Sequence, residues 1–222
     1  MSAVDAPRGS VGIRPTAGLS PEQAVSALIQ GRCLIYPTET LFAVGGDALD
    51  PAVVQRIQEI KARPEGKPLP VLVGAFGLLE ALTPWTQTRL QPLVEPFWPG
   101  PLSVLVPAKP GLPDAIQDAA GWICVRWTSH PDAAWLSRQG ARPVVATSAN
   151  RSGAPAVGRA ENLDSGLVAA TAGVWPGTHT PAGGAPSTVV RILGPGRLAV
   201  LRAGAVPVAA LQAEGWTVQQ ER

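Results

Sequence analysis

The chain has 222 residues, including 24 glycines and 24 prolines, with 18 Lys and Arg against 16 Asp and Glu for a formal net charge of +2. That length can bury a full core and suits one large domain or two small ones. The charge balance does not by itself imply nucleic-acid binding, and a multi-histidine metal centre is excluded because His130 and His179 are the only histidines.

Residues 1–18 read as a loose leader: Asp5, Arg8 and Arg14 are mixed with Gly and Pro, without the apolar stretch of a secretory signal. No apolar run reaches the ~18 residues of a membrane span, so a cytoplasmic protein without membrane attachment is expected. Ser20-Pro21-Glu22-Gln23 opens a helix with a capping-box pattern, and Gly31 is a fitting stop. Cys33-Leu34-Ile35-Tyr36 reads as a buried strand that Pro37 ends, exposing Thr38, Glu39 and Thr40 at its C-terminal edge. Gly45 and Gly46 follow, where backbone can approach a ligand closely. Asp50 and Pro51 supply an N-cap and first turn for a helix with Val53, Val54, Ile57 and Ile60 on one face. Lys61, Arg63 and Lys67 lie at and just beyond its end, where cations also complement the helix dipole.

Leu69 to Val73 is the next strand, with Pro70 marking an edge or a strand start. Short helices are expected over Phe76 to Leu82 and Thr86 to Val94, and Trp98-Pro99-Gly100-Pro101 is a turn. Strands follow at Leu102 to Val106 and Trp122 to Trp127, the second carrying Arg126, which is either solvated or aimed at an anion. Cys124 in that run and Cys33 both read as buried thiols without metal-ligand spacing. His130 enters a helix running through Leu136, and Pro143 to Ala146 is a strand leading into Thr147-Ser148-Ala149-Asn150. Residues 151–158 and 176–186 are loops, with a weakly helical stretch between them; long loops of this kind often bind ligands. Ser187 to Leu193 and Leu198 to Leu201 flank Gly194-Pro195-Gly196, a hairpin signature that makes the sheet mixed. The fold class is α/β: a single domain with a mixed, twisted open sheet flanked by helices.

Familiar chemistries drop out. There is no GxxxxGK[ST] phosphate loop, and the GxGxxA match at Gly194 lies between strands with no helix after it. Ser148-Ala149-Asn150 has no accompanying SxxK or KTG element. What remains is a set of hydroxyls, an amide and cations near strand ends: Thr38, Ser148, Asn150 and Ser187 with Arg63, Lys67, Arg126 and Arg202. In open α/β sheets ligands bind at the carboxyl ends of strands. This donor set suits a phosphate-rich ligand held by charge-assisted hydrogen bonds.

PTET at Pro37, KxRP at Lys61 with K-P-L at Lys67, WPGPLS at Trp98, V-R at Val125, TSANRSG at Thr147 and PSTVV at Pro186 closely resemble the YrdC/Sua5 family of threonylcarbamoyl-AMP synthases, across about Leu19 to Ala203. The resemblance implies a YrdC-like catalytic domain over 19–204, with a C-terminal tail at 205–222 packing on it or trailing from it. It is to the short, single-domain type. It implies a nucleotidyltransferase that makes threonylcarbamoyl-AMP and pyrophosphate from L-threonine, bicarbonate and ATP for the t6A modification of tRNA. Mg²⁺ would arrive with ATP, with no protein metal site and no tightly bound cofactor.

By the same resemblance Lys61, Arg63, Ser148 and Asn150 form the catalytic KxR…SxN signature. Arg63, Lys67, Ser148 and Arg202 would contact ATP, while Thr38, Arg126 and Ser187 would hold L-threonine, with Arg126 on its carboxylate. Leu72 stands where some long-form members have a histidine near threonine, and Ala156 replaces a serine of long members. Expected partners beyond the small molecules are RNA or tRNA and, transiently, the threonylcarbamoyl-transfer machinery. The alternative is an RNA-binding or ribosome-maturation protein that uses the same cationic concave surface.

Overall fold

The first helix follows from its first residues. Ser20 Oγ accepts from the Gln23 amide and Gln23 Oε1 accepts from the Ser20 amide, at 3.2 and 2.8 Å, closing the capping box that starts α1 (Pro21–Ile29). Gly31, at φ +66°, lets the chain turn off the helix. The computed structural model describes residues 18–62 and 67–220; the expected leader, apart from Gly18, lies outside the described residues, as does Arg63.

Strand β1 (Leu34–Pro37) pairs antiparallel with β2 (Phe42–Gly45), and Asp50 then caps α2 (Pro51–Lys61) through its carboxylate and the Ala52 amide, 2.9 Å away. The sequence reading missed β2, because the Thr38–Leu41 turn is short and Gly45 and Gly46 look like loop residues. These glycines admit close approach, but of the protein itself. A Cβ on Gly45 would collide with the Val145 carbonyl, and one on Gly46 would stand 2.5 Å from Val53. The expectation of ligand approach there is corrected.

Next come β3 (Val71–Val73), a short 3₁₀ turn at Phe76–Ala81 and α3 (Gln87–Phe97), which runs past the expected helix despite Pro92 and Pro96. Strands β4 (Leu102–Pro107) and β5 (Trp122–Trp127) pair antiparallel. His130 caps α4 (Pro131–Gly140), its Nδ1 accepting from the Ala133 amide. The run after Pro143 divides into β6 (Val144–Val145) and β7 (Thr147–Ser148). The short helix α5 (Ser165–Ala169) precedes β8 (Thr188–Gly194), which forms the expected hairpin with β9 (Arg197–Arg202). Helix α6 (Val208–Ala213) and β10 (Thr217–Gln220) follow, with β10 parallel to β9.

Two sheets result. The larger has seven strands in the order β10-β9-β8-β4-β5-β3-β6, parallel and antiparallel pairs mixed; the smaller has three, β1-β2-β7. Pro70 therefore starts a strand that lies inside the sheet. The chain leaves the large sheet after β6 and joins the small one at β7 within a single residue, Ala146, whose amide donates to the Pro70 carbonyl at 2.8 Å. Tyr36, fully buried, ties the two sheets by donating its hydroxyl to the Val145 carbonyl at 2.8 Å. Helices α1 and α4 cover one apolar cluster with Leu34, Tyr36 and Leu72, while α2 and α3 contribute to the larger core. Among the described residues no helix is long and apolar enough to cross a membrane.

Candidate active site

A cavity of about 590 Å³ opens where the small sheet faces the large one. Thr38, Arg126, Ser148, Ser187 and Arg202 all line it, so the fold brings together residues widely separated in sequence. Its floor includes Val71, Leu105, Cys124 and Val189, from β3, β4, β5 and β8. The ligand crevice is thus against the face of the large sheet, not simply at the strand ends. Ser187 immediately precedes β8, at the N-terminal end of that strand. Cys124 is only half-buried and faces the cavity, correcting its reading as a core thiol; desolvation pushes its pKa up.

Each wall has a local cause. Thr38 closes the β1–β2 turn: its amide and its hydroxyl both donate to the Leu41 carbonyl, at 3.0 and 2.7 Å, leaving the hydroxyl oxygen able to accept. Ser148 reaches the cavity because the chain crosses between sheets at Ala146. Its carbonyl accepts from Lys61 Nζ, and so does that of Asn150, at 2.7 Å. Lys61 is 2% exposed, so the KxR…SxN signature is joined at this point through buried backbone contacts. Asn150 lines an adjoining cavity of about 480 Å³, and Ala156 lines both. Lys67 is exposed and lines neither cavity. Leu72 is fully buried with Tyr36 and Leu136 and does not line the cavity.

The guanidiniums of Arg126 and Arg202 both face the cavity. Arg202 donates Nε and Nη2 to the Ser187 carbonyl, at 3.1 and 2.7 Å, and Nη2 also reaches Ser187 Oγ at 3.0 Å. Ser187 Oγ is in turn 2.9 Å from Ser103 Oγ. Desolvation, with a contribution from Arg126, lowers the Arg202 pKa.

Arg126 is paired with Glu39, Nη1 to Oε2 at 2.6 Å. Glu39, which the sequence places at the edge of β1 without a site role, sits inside the PTET motif. Burial acts to raise its pKa, but Arg126 and hydrogen bonds from Thr128 and Ser129 overcome this and hold the carboxyl below its ordinary value. Two guanidiniums and several hydroxyls thus line one cavity, a donor set able to accept an anion, with one of the cations offset from behind by Glu39.

The Sua5_yciO_yrdC family model, described as Telomere recombination, matches residues 26–204. The chain belongs to the Sua5/YciO/YrdC family. It is 34% identical over 162 residues to the threonylcarbamoyl-AMP synthase of Bacillus subtilis, covering 72% of this chain and 47% of that protein. It is 35% identical over 137 residues to the synthase of Methylococcus capsulatus, covering 62% of this chain and 74% of that one. The crystal structure of Pyrococcus abyssi Sua5 complexed with L-threonine superposes with a TM-score of 0.81, at 28% identity over 90% of this chain and 60% of that one, and the H234A/Y235A form of the same protein with a TM-score of 0.82, at 26% identity over 91% of this chain and 63% of that one. The match thus spans less than half of the Bacillus relative.

Proposed function

We propose that the chain catalyses formation of threonylcarbamoyl-AMP from L-threonine, bicarbonate and ATP. The observation that carries this reading is the convergence of Thr38, Arg126, Ser148, Ser187 and Arg202 on one cavity, of a size usual for small-molecule sites. Thr38, Ser187 and Arg126 form the threonine side, with Arg126 on the carboxylate. Ser148 and Arg202 belong to the ATP side, to which the family resemblance of the KxR motif and the following K-P-L also assigns Arg63 and Lys67. The two sides meet where Arg202 contacts Ser187, which suits a reaction joining a threonine-derived carbamate to the α-phosphate. Asn150, on the adjoining cavity, gives an elongated nucleotide a second point of contact.

In the reaction, threonine nitrogen adds to the bicarbonate carbon, with loss of water and a proton. A carbamate oxygen then attacks the α-phosphorus and pyrophosphate leaves. This needs orientation and charge neutralisation more than a covalent nucleophile. Guanidiniums can hold phosphate oxygens in pairs and offset the charge on the leaving group. Mg²⁺ would come with the nucleotide. The cavity's donors are hydroxyls and guanidiniums, with the Glu39 carboxylate committed to Arg126, Thr128 and Ser129. Such a set does not fit a protein-held metal.

The product is a mixed anhydride, so an enzyme transferring its threonylcarbamoyl group to tRNA is the expected downstream partner, in the cytoplasm. The test is pyrophosphate release from ATP and bicarbonate with and without L-threonine. Threonine-dependent release supports the reading. ATP-independent RNA binding with no such release would instead favour the RNA-binding alternative.

A further inference from the structure

We propose that Glu39 is a positioning residue that turns Arg126 so that one edge of its guanidinium faces the cavity, ready for the carboxylate of an amino acid. The proposal rests on the threonine-site reading above. Arg126 lies within an apolar strand, and it and Glu39 have side chains only 8% and 11% exposed. A guanidinium so buried needs a partner, and Glu39 Oε2 supplies one to Nη1 at 2.6 Å. Nε and Nη2 of Arg126 make no hydrogen bond to a described residue, whereas the same atoms of Arg202 are bonded to Ser187. Arg126 therefore keeps a donor pair of the geometry that grips a carboxylate bidentately.

Glu39 is itself fixed. Its Oε1 accepts from Thr128 Oγ1 at 2.8 Å, from the Ser129 amide at 2.8 Å and from Ser129 Oγ at 3.3 Å. Its backbone carbonyl accepts from the Ala182 amide at 2.9 Å, and the Thr40 carbonyl from the Gly183 amide at 2.9 Å. The residue thus joins the end of β1, the end of β5 and the 176–186 loop, whose Gly184 and Pro186 line the cavity. A role as general base does not fit, since both carboxylate oxygens are engaged and the group is held in its charged, weakly basic form.

Positioning and simple charge make opposite predictions. Glu39→Gln removes a negative charge beside an anion site, so charge alone would tighten carboxylate binding. An amide has a single acceptor oxygen and cannot serve both Arg126 and the Thr128–Ser129 pair. Arg126 is then released, and binding weakens.

The experiment uses the full chain. L-threonine and ATP binding are measured by calorimetry for wild type, Glu39→Gln, Thr128→Val and Glu59→Gln, the last removing the same charge from an exposed helix position. In parallel, the guanidinium NMR signals of Arg126, assigned with Arg126→Lys, are recorded without ligand. Glu39→Gln is expected to weaken threonine binding about tenfold or more, the scale of a lost charged hydrogen bond. ATP binding should stay within about twofold, and Glu59→Gln should be silent. The Arg126 Nη signals, separate in wild type, should merge as rotation is freed.

Thr128→Val, which loosens Glu39 while leaving its charge, should weaken threonine binding in the same direction, and it decides the matter if Glu39→Gln does not fold. Unchanged or tighter threonine binding in these variants, with Arg126 still locked, would overturn the proposal. If wild type binds no threonine, the functional reading fails, and the NMR comparison alone decides whether Glu39 orients Arg126.

Discussion

The ammonium of Lys61 lies 2.7 Å from the carbonyl oxygen of Asn150 and also donates to that of Ser148, so the end of α2 is tied to residues 87 and 89 positions further along the chain. With Lys61 only 2% exposed, this is a buried charge held by backbone oxygens. Lys61→Met should leave those carbonyls without their donor and cost on the order of 3 kcal/mol, the scale of charged hydrogen bonds lost in a buried place. Lys61→Arg should not restore it, since a planar fork does not replace a compact ammonium. Thermal unfolding of the two variants checks this; a transition close to wild type in Lys61→Met would contradict it.

In the proposed reaction, substrate choice would rest on the hydroxyls of Thr38 and Ser187, which line the cavity. L-valine matches threonine in shape but lacks its hydroxyl, leaving wall groups unpaired. The kcat/KM for valine in pyrophosphate release should be lower by on the order of 100-fold or more. Equal rates would mean that these hydroxyls do not read the side chain.

The small-to-large sheet contact makes a sharp stability prediction. Gly45→Ala would drive a methyl group into the Val145 carbonyl, whereas a Cβ on Gly77 meets nothing within 4 Å. Gly45→Ala should lose about 1–3 kcal/mol or more, as overpacked cores do, and Gly77→Ala should be neutral or slightly stabilising. Denaturant midpoints of the two variants provide the comparison.

Acid should expose the Glu39–Arg126 pair. The folded pKa of Glu39 is depressed below 4.5, so its contribution to stability is present above that value and is lost as pH falls through the folded pKa. Asp132, which accepts from the Thr178 and His179 amides at 2.9 and 2.8 Å, is depressed below 3.8 and adds stability with the same sign. Wild type should therefore lose Tm in acid. Glu39→Gln should start lower at neutral pH and fall less steeply in acid. Parallel curves for the two proteins would show that the pair contributes no pH-dependent stability.

Most of the helices and strands of the large sheet were legible because local chemistry and tertiary structure agree. Ser20, Asp50 and His130 cap the helices that follow them, and Gly194-Pro195-Gly196 turns the β8–β9 hairpin. The small sheet was not legible. Its β2 and β7 have four and two residues, and β7 exists because the chain changes sheets at Ala146, a long-range event without a local signal. The same limit applies to the site. Hydroxyls and cations could be picked out by type and motif, and several converge. That Arg126 is backed by Glu39 could not be read from spacing, although a charge inside WICVRW calls for a buried partner, and a carboxylate in PTET was available to supply it.

The most direct measurement of the central claim follows the carbon atom. The chain is incubated with ATP, L-threonine and ¹³C-bicarbonate, and the adenylate products are analysed by mass spectrometry. An adenylate containing threonine and one labelled carbon is expected, formed together with pyrophosphate and absent when threonine is omitted. Pyrophosphate without a labelled threonine adenylate, or no turnover of ATP at all by folded protein, would contradict it.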